Sequence, residues 1–233
     1  MSNNIIDLKK PNIRIINNFL TDEECDKILS VKSFSENLWS LDFDINYPKE
    51  KDVDPALWPS ITQWDGMCIN FTNLEFYERY KLDKEYFENL AKRMKPHTEE
   101  KFNVTNLLKE QYLINRWRIG REQAPHLDYF LENERDHDYE MLAKNNIPKD
   151  WLKSFEGRFQ TKHYSTLIYL NDDYVGGELW FPQYENFTIK PKKGMLVTFQ
   201  GDENTLHGVK AVTEGIRYTI SMFWTDPLKQ LNK

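Results

Sequence analysis

The sequence predicts an α+β fold that is mainly β, a jelly roll or β-sandwich with N-terminal helices packed against one sheet. Three observations carry this. Aromatic residues make up 14% of the 233 residues, and flat rings favour pleated surfaces. Beyond Gln111 the chain breaks into short apolar runs punctuated by Gly, Pro and Asp, the spacing of a sandwich or barrel. Before Gln111 the signals are mixed and often helical. The length fits one large domain. We divide it into a support region over 1–110 and a β core over 111–226 that carries an insertion at 131–160.

Taken in order, residues 12–20 alternate loosely (Ile13, Ile15, Ile16, Phe19) and predict a strand. Thr21 followed by Glu24 makes a capping box, so a helix with Cys25, Ile28 and Leu29 on successive turns should follow. Residues 42–64 are rich in Pro and Asp and read as loop with short strands. Asp83 can cap a second helix whose apolar face holds Tyr86, Phe87, Leu90 and Met94, with Pro96 at its weak point or end. Strands are expected at 110–117, 164–170, 178–181, 186–190, 194–200 and 217–224. The last, RYTISMFW, has the clearest alternation in the chain.

The net charge of −6 and pI of about 5.5 disfavour a general nucleic-acid binder. Cys25 and Cys68 carry no CxxC spacing, so a disulfide framework or thiolate zinc site is disfavoured. Residues 1–10 have no signal-peptide character, and no run approaches a membrane span. A soluble, reducing, cytoplasmic setting without membrane contact is the expectation.

The chain has five histidines. His97-Thr98-Glu99 lies in a helical region where residues two apart diverge, and we read His97 as a surface residue. His126-Leu127-Asp128 lies in extended surroundings, where residues two apart share a face. That pair alone could be a hydrogen-bonded couple of the core. His207, at the end of a strand after a polar turn, changes the balance, as does Arg217 ten residues later. Two His and one carboxylate form a facial triad with open positions, the pattern of non-haem iron(II) oxygenases. Arg217 has the planar fork that suits the far carboxylate of a 2-oxo acid. His137 reads as part of a solvated loop and His163 as an edge or core residue. Gly208 would allow close backbone approach, and Trp180 and Trp224 read as core.

The stretch YLINRWRIGREQAPHLDYF (112–130) resembles the first iron-binding segment of prolyl 4-hydroxylases, members of the Fe(II)/2-oxoglutarate-dependent dioxygenase superfamily. STLIYLND, GGELWFPQ, IKPKKGMLVTF and HGVKAVTEGIRYTISMFW resemble the segments that follow it, in the same order, and INNFLTDEECDKIL resembles the group's opening strand and helix. The resemblance implies a double-stranded β-helix with iron(II) held by His126, Asp128 and His207. It also implies 2-oxoglutarate anchored by Arg217 and Tyr169, and ascorbate as an accessory reductant. Molecular oxygen and a peptide or protein substrate, a prolyl residue first, would be the partners. Another protein side chain, a small metabolite and a catalytically silent binding module stay open as alternatives. Trp117 and Gln123 stand where the family commonly has Tyr, which bears on the primary substrate. The retained Asp128 argues against halogenation. The family's nucleic-acid demethylases carry further Arg residues after the one matching Arg217, and residues 218–224 contain none. The insertion at 131–160 is expected to form part of a substrate lid.

Overall fold

A computed structural model of the chain describes residues 4–30, 84–128 and 162–230. The opening hairpin joins β1 (Asn4–Lys9) to β2 (Asn12–Asn17), and α1 (Asp22–Leu29) and α2 (Lys84–Phe102) follow. Next come β3 (Leu108–Trp117), β4 (Gln123–His126), β5 (Tyr164–Tyr169), β6 (Val175–Gly176), β7 (Leu179–Phe181), β8 (Phe187–Ile189) and β9 (Leu196–Gln200). A 3-10 turn (Glu203–Thr205) leads to β10 (His207–Val209), β11 (Val212–Glu214), β12 (Arg217–Thr225) and α3 (Pro227–Gln230).

The strands form a six-stranded sheet in the order β1-β2-β9-β5-β12-β3 and a four-stranded sheet β4-β10-β7-β8, with β11-β6 as a small ribbon. All pairings are antiparallel. This is the mainly-β jelly roll that the sequence predicts.

Period-two alternation divides the large sheet between two cores. One face carries Ile16, Ile114, Tyr164, Ile168, Leu196, Ile220, Met222 and Trp224, and it packs against Cys25 and Ile28 of α1 and Phe87, Leu90 and Met94 of α2. The opposite face carries Ile13, Leu167, Tyr169, Val197 and Phe199 and meets Leu179, Phe181 and Ile189 of the small sheet. The helical layer therefore covers one sheet face and leaves the other to line the space between the sheets.

Polar contacts fix the helices in register. Thr21 and Glu24 form the predicted capping box. Thr98 of α2 joins Thr166 and Thr198 of the sheet in a buried hydroxyl cluster at 3.0–3.1 Å, and Trp224 Nε1 donates to Thr166 at 2.8 Å. Buried Arg14 forks onto Asp7 at 2.8 Å and reaches Glu100 and the His97 carbonyl, which ties β1, β2 and α2 together.

The structure revises several expectations. The polar N-terminus forms an edge strand, β1, with largely exposed side chains. The following strand ends at Asn17, and Phe19 and Leu20 are buried beyond it. Pro96 does not end α2, which runs on to Phe102; its missing N–H falls on an exposed stretch. His97 is half-buried and meets Phe19 edge-on at 5.7 Å, and burial holds its pKa down. His163, by contrast, is the core residue expected, buried and accepting the Asp226 N–H at 3.0 Å. Asp83, Cys68, His137, the 42–64 stretch and the 131–160 insertion lie outside the described residues. No helix among the described residues is long and apolar enough to cross a membrane.

Gly194 clips the N-terminal segment onto the sheet. Its carbonyl accepts the Leu20 N–H, and its own N–H donates to the Tyr169 carbonyl. With φ at +73°, an added Cβ would lie 2.2 Å from the Leu20 carbonyl oxygen. Gly194→Ala is expected to destabilise the fold by about 2 kcal/mol or more through strain and this clash. Urea unfolding against wild type measures it, and an unchanged midpoint would refute the clip.

Candidate active site

One half of the site stands where the two sheets meet. β4 and β10 pair with His126 opposite His207, which brings the ring centroids to 4.4 Å. Each ring is oriented in the same way. His126 Nδ1 lies 2.9 Å from the Ala124 carbonyl oxygen, and His207 Nδ1 lies 2.9 Å from that of Thr205. A carbonyl only accepts, so each Nδ1 carries a proton, and each Nε2 is the nitrogen turned inward, where it can meet a metal.

Asp128 completes the group. Its Oδ1 is 3.7 Å from His126 Nε2, and its Oδ2 is 3.4 Å from His207 Nε2. All three side chains are buried, with one ligand atom from each lying within 4.8 Å of the others. Two extended-chain expectations change in detail. His126 is the last residue of β4, and Asp128 lies just beyond the strand. His207 begins β10 instead of ending a strand. Convergence survives because the Asp128 N–H donates to the Gly201 carbonyl, and Ser165 Oγ donates to Asp128 Oδ2 at 2.5 Å.

The electrostatics suit a metal ion. Burial pushes His126 down to about 4, and neighbouring His207 adds to the effect. Burial alone would raise Asp128, but His207, His126 and the Ser165 hydroxyl outweigh it and hold the carboxyl below its ordinary range. At neutral pH the His126 imidazole is neutral and the Asp128 carboxylate ionised, as first-row divalent metals require. Gly208 permits the close packing here, since an added Cβ would lie 2.7 Å from both the Gln123 carbonyl and Trp180 Nε1. Trp224 is core, as expected, and Trp180 is half-buried.

The other half lies on the inner face of the large sheet. Arg217 faces Trp117 across β3, and Thr219 faces both Asn115 and Tyr169. Arg217 is 1% exposed. Its guanidinium lies over the Trp117 and Tyr169 rings, 5.2 Å from each centroid. Its Nε and Nη1 have no hydrogen-bond partner among the described residues, and neither do the buried hydroxyls of Tyr169, Tyr174 and Thr219. A buried cation without a counter-ion costs several kcal/mol, and ring faces return about 2 kcal/mol. A pocket of donors around a guanidinium therefore fits a carboxylate ligand.

The structure thus gathers His126, Asp128 and His207 into one cluster and places Arg217 beside Tyr169. Sequence reasoning missed Ser165, Tyr174 and Thr219. Thr219 was findable as the same-face neighbour of Arg217, and Ser165 as the same-face neighbour of Tyr169 four residues on. Tyr174 lies between β5 and β6 and left no periodic signal.

Known proteins resemble this chain in sequence and in fold. Residues 112–225 match the model of the 2OG-Fe(II) oxygenase superfamily. Prolyl 3-hydroxylase 2 of Homo sapiens is 43% identical over 72 residues, 29% of this chain and 10% of that protein. Prolyl 3-hydroxylase 1 of Gallus gallus is 38% identical over 71 residues, 28% of this chain and 10% of that protein. The matched stretch is thus a small part of those relatives' length. Among solved structures, a prolyl hydroxylase from Trichoplax adhaerens bound to a hypoxia inducible factor peptide fragment aligns with TM-score 0.60 and 17% identity, covering 97% of this chain and 89% of the other. A viral collagen prolyl hydroxylase of Paramecium Bursaria Chlorella virus-1, in its 2OG complex, aligns with TM-score 0.54 and 17% identity, covering 91% and 94%. Residues 112–225, which run from within β3 to the end of β12 and carry both halves of the site, thus match the 2OG-Fe(II) oxygenase superfamily model, and the fold is prolyl hydroxylase-like.

Proposed function

We propose that the protein is an iron(II)- and 2-oxoglutarate-dependent dioxygenase that hydroxylates a peptidyl proline. One observation carries the reading: three buried metal-ligand atoms converge in the same jelly roll that buries an arginine among unpartnered donors. In this reading His126, Asp128 and His207 hold the metal. Arg217 and Tyr169 receive the distal carboxylate of 2-oxoglutarate. Iron(II) bound there with 2-oxoglutarate and molecular oxygen supplies oxidative decarboxylation to succinate and carbon dioxide, and insertion of one oxygen atom into a substrate C–H bond.

The chain's own part is positioning and exclusion of water. The two carbonyl-anchored imidazoles keep their Nε2 atoms aimed at the metal. Ser165 fixes the Asp128 carboxylate. Arg217, packed between two rings, presets one end of the 2-oxo acid. Phe199 and Phe181, with ring centroids 4.5 and 6.2 Å from His207, keep one side of the ligand set dry.

The substrate class is supported by the matched relatives, which are prolyl 3-hydroxylases, and by the structural neighbours, a collagen prolyl hydroxylase and a prolyl hydroxylase in complex with a peptide fragment. Trp117 lies against Arg217, so its departure from the family's Tyr alters the cosubstrate end of the cavity. Ascorbate as an accessory reductant and a cytoplasmic setting belong to the same proposal.

With iron(II), ascorbate and proline-containing peptides under air, wild type should form succinate and add one oxygen atom to a peptide. His126→Ala and Arg217→Ala should each lower turnover by about a hundredfold or more. Peptide mass and the position of the new hydroxyl on the proline ring read the product. Succinate formation that persists in both variants would overturn the site assignment.

Ser165→Ala tests the support of Asp128. Loss of a hydrogen bond to a ligating carboxylate typically costs about 10- to 100-fold in metal affinity. Competition titrations with Mn(II) and Fe(II) should show that loss with the fold intact, and unchanged affinity would mean that Asp128 is held without the serine.

A further inference from the structure

Tyr174 is one of the unpartnered donors around Arg217, and the proposed function leaves it without a ligand of its own. Its ring is half-exposed, yet its hydroxyl is fully buried and has no hydrogen-bond partner among the described residues. Burying an unpaired hydroxyl is costly, so its direction calls for an explanation.

The backbone aims Tyr174 at Arg217. A Cβ built on Gly177, whose φ is +65°, would lie 2.9 Å from Arg217 Cδ and 3.1 Å from Tyr174 Cε2. The two side chains therefore converge over the same bare backbone. A Cβ on Gly215 would lie 3.1 Å from both Cα and Cβ of Tyr174. Tyr174 is thus held between the turn that precedes β7 and the turn that starts β12. Both glycines sit in the left-handed region that favours them. Burial raises the Tyr174 phenol and the Tyr169 phenol, against the opposing charge of Arg217, so both stay protonated donors at neutral pH.

The donor count points to the ligand. Arg217 contributes Nε–H and Nη1–H, and Tyr169, Tyr174 and Thr219 each contribute a hydroxyl. A phenol can accept from the guanidinium, but its own hydrogen still needs an acceptor. An ionised carboxylate offers about four lone-pair sites and only accepts. It can take a guanidinium N–H and two phenols together.

We propose that Tyr174 is a second phenol donor to the distal carboxylate of 2-oxoglutarate, beside Tyr169 and Arg217. This rests on the reading of Arg217 given above. The added phenol makes the pocket selective for an acid that is charged at both ends.

The test is an anaerobic titration of the Mn(II)-loaded full chain, wild type and Tyr174→Phe, with 2-oxoglutarate and with 2-oxopentanoate. The second acid has the same carbon chain and lacks the distal carboxylate. Wild type should prefer 2-oxoglutarate strongly. Tyr174→Phe should bind it about 10- to 100-fold more weakly, as for a lost hydrogen bond to a charged group, and bind 2-oxopentanoate unchanged. The ring is kept, so Mn(II) affinity and thermal midpoint should stay at wild-type values. A purely structural role would weaken both acids alike or lower the midpoint, and that result would overturn the proposal. So would 2-oxoglutarate affinity within twofold of wild type, which leaves the Arg217 reading standing. A wild type that binds both acids equally removes the Arg217 reading and the proposal with it.

Discussion

Strand β12 lies between β3 and β5, and its register decides where a buried cation can stand. Arg217 pairs with Trp117, and Thr219 pairs with Tyr169 and Asn115. Because side chains alternate strictly along a strand, this register puts the guanidinium, two rings and a hydroxyl on the inner face together. A slip of one residue would turn Arg217 toward the helices and bring Ile220 and Met222 inward. The helix-side core makes that slip expensive, since Ile220, Met222 and Trp224 are all buried there. The site's charge chemistry is therefore specified by hydrophobic packing on the opposite side of the same strand.

The helical layer contributes rigidity at a distance. Thr98 is the one buried polar side chain that α2 sends into the sheet among the described residues, and it meets Thr166 and Thr198 on neighbouring strands β5 and β9. Thr166 also receives the Trp224 indole N–H, so helix and strands β5, β9 and β12 share one satisfied network. Such networks specify a single arrangement when every member is paired. Gly194 adds a second fixing point, where the chain leaving β2 bonds to the residue that bonds Tyr169. Side chains on the inner face are thus carried by strands whose outer face cannot shift, which is what a precise binding constellation needs.

Much of this was legible in the sequence because it depends on period and local chemistry. RYTISMFW could only be a two-faced strand, and the Thr21–Glu24 box has one structural meaning. The His126, Asp128 and His207 cluster was expected from residue types, although the local argument was incomplete. Asp128 is aimed by the Gly201 carbonyl and Ser165, not by continuing the strand of His126. Such cross-chain contacts leave no mark at short sequence range. Edge strand β1 was missed because its side chains are mostly exposed, so NIIDLK lacks the apolar content that marks a buried strand. Tyr174 escaped because an isolated Tyr between strands has no periodicity; its direction is set by Gly177 and Gly215, from turns far along the chain. α2 runs on past Pro96 because a helix held by packing from Phe87 to Thr98 tolerates one lost donor on its exposed side.

The metal-ligand cluster is also a seam between the sheets. His126 and His207 belong to the four-stranded sheet, through β4 and β10. Asp128 is tied to the six-stranded sheet, by its carboxylate to Ser165 of β5 and by its N–H to Gly201 at the end of β9. An ion bound by all three would link the sheets through polar groups, beside the apolar contacts of Phe181, Phe199 and Val197 that also join them. Arg217 bears on the same gap through the large sheet alone. Occupancy by metal and by a dicarboxylic acid would therefore act on one structural variable, the spacing of the two sheets. Free energy gained by a ligand that binds only the folded form adds directly to stability. In this fold the groups proposed for chemistry and the groups that hold the sandwich closed there are the same residues.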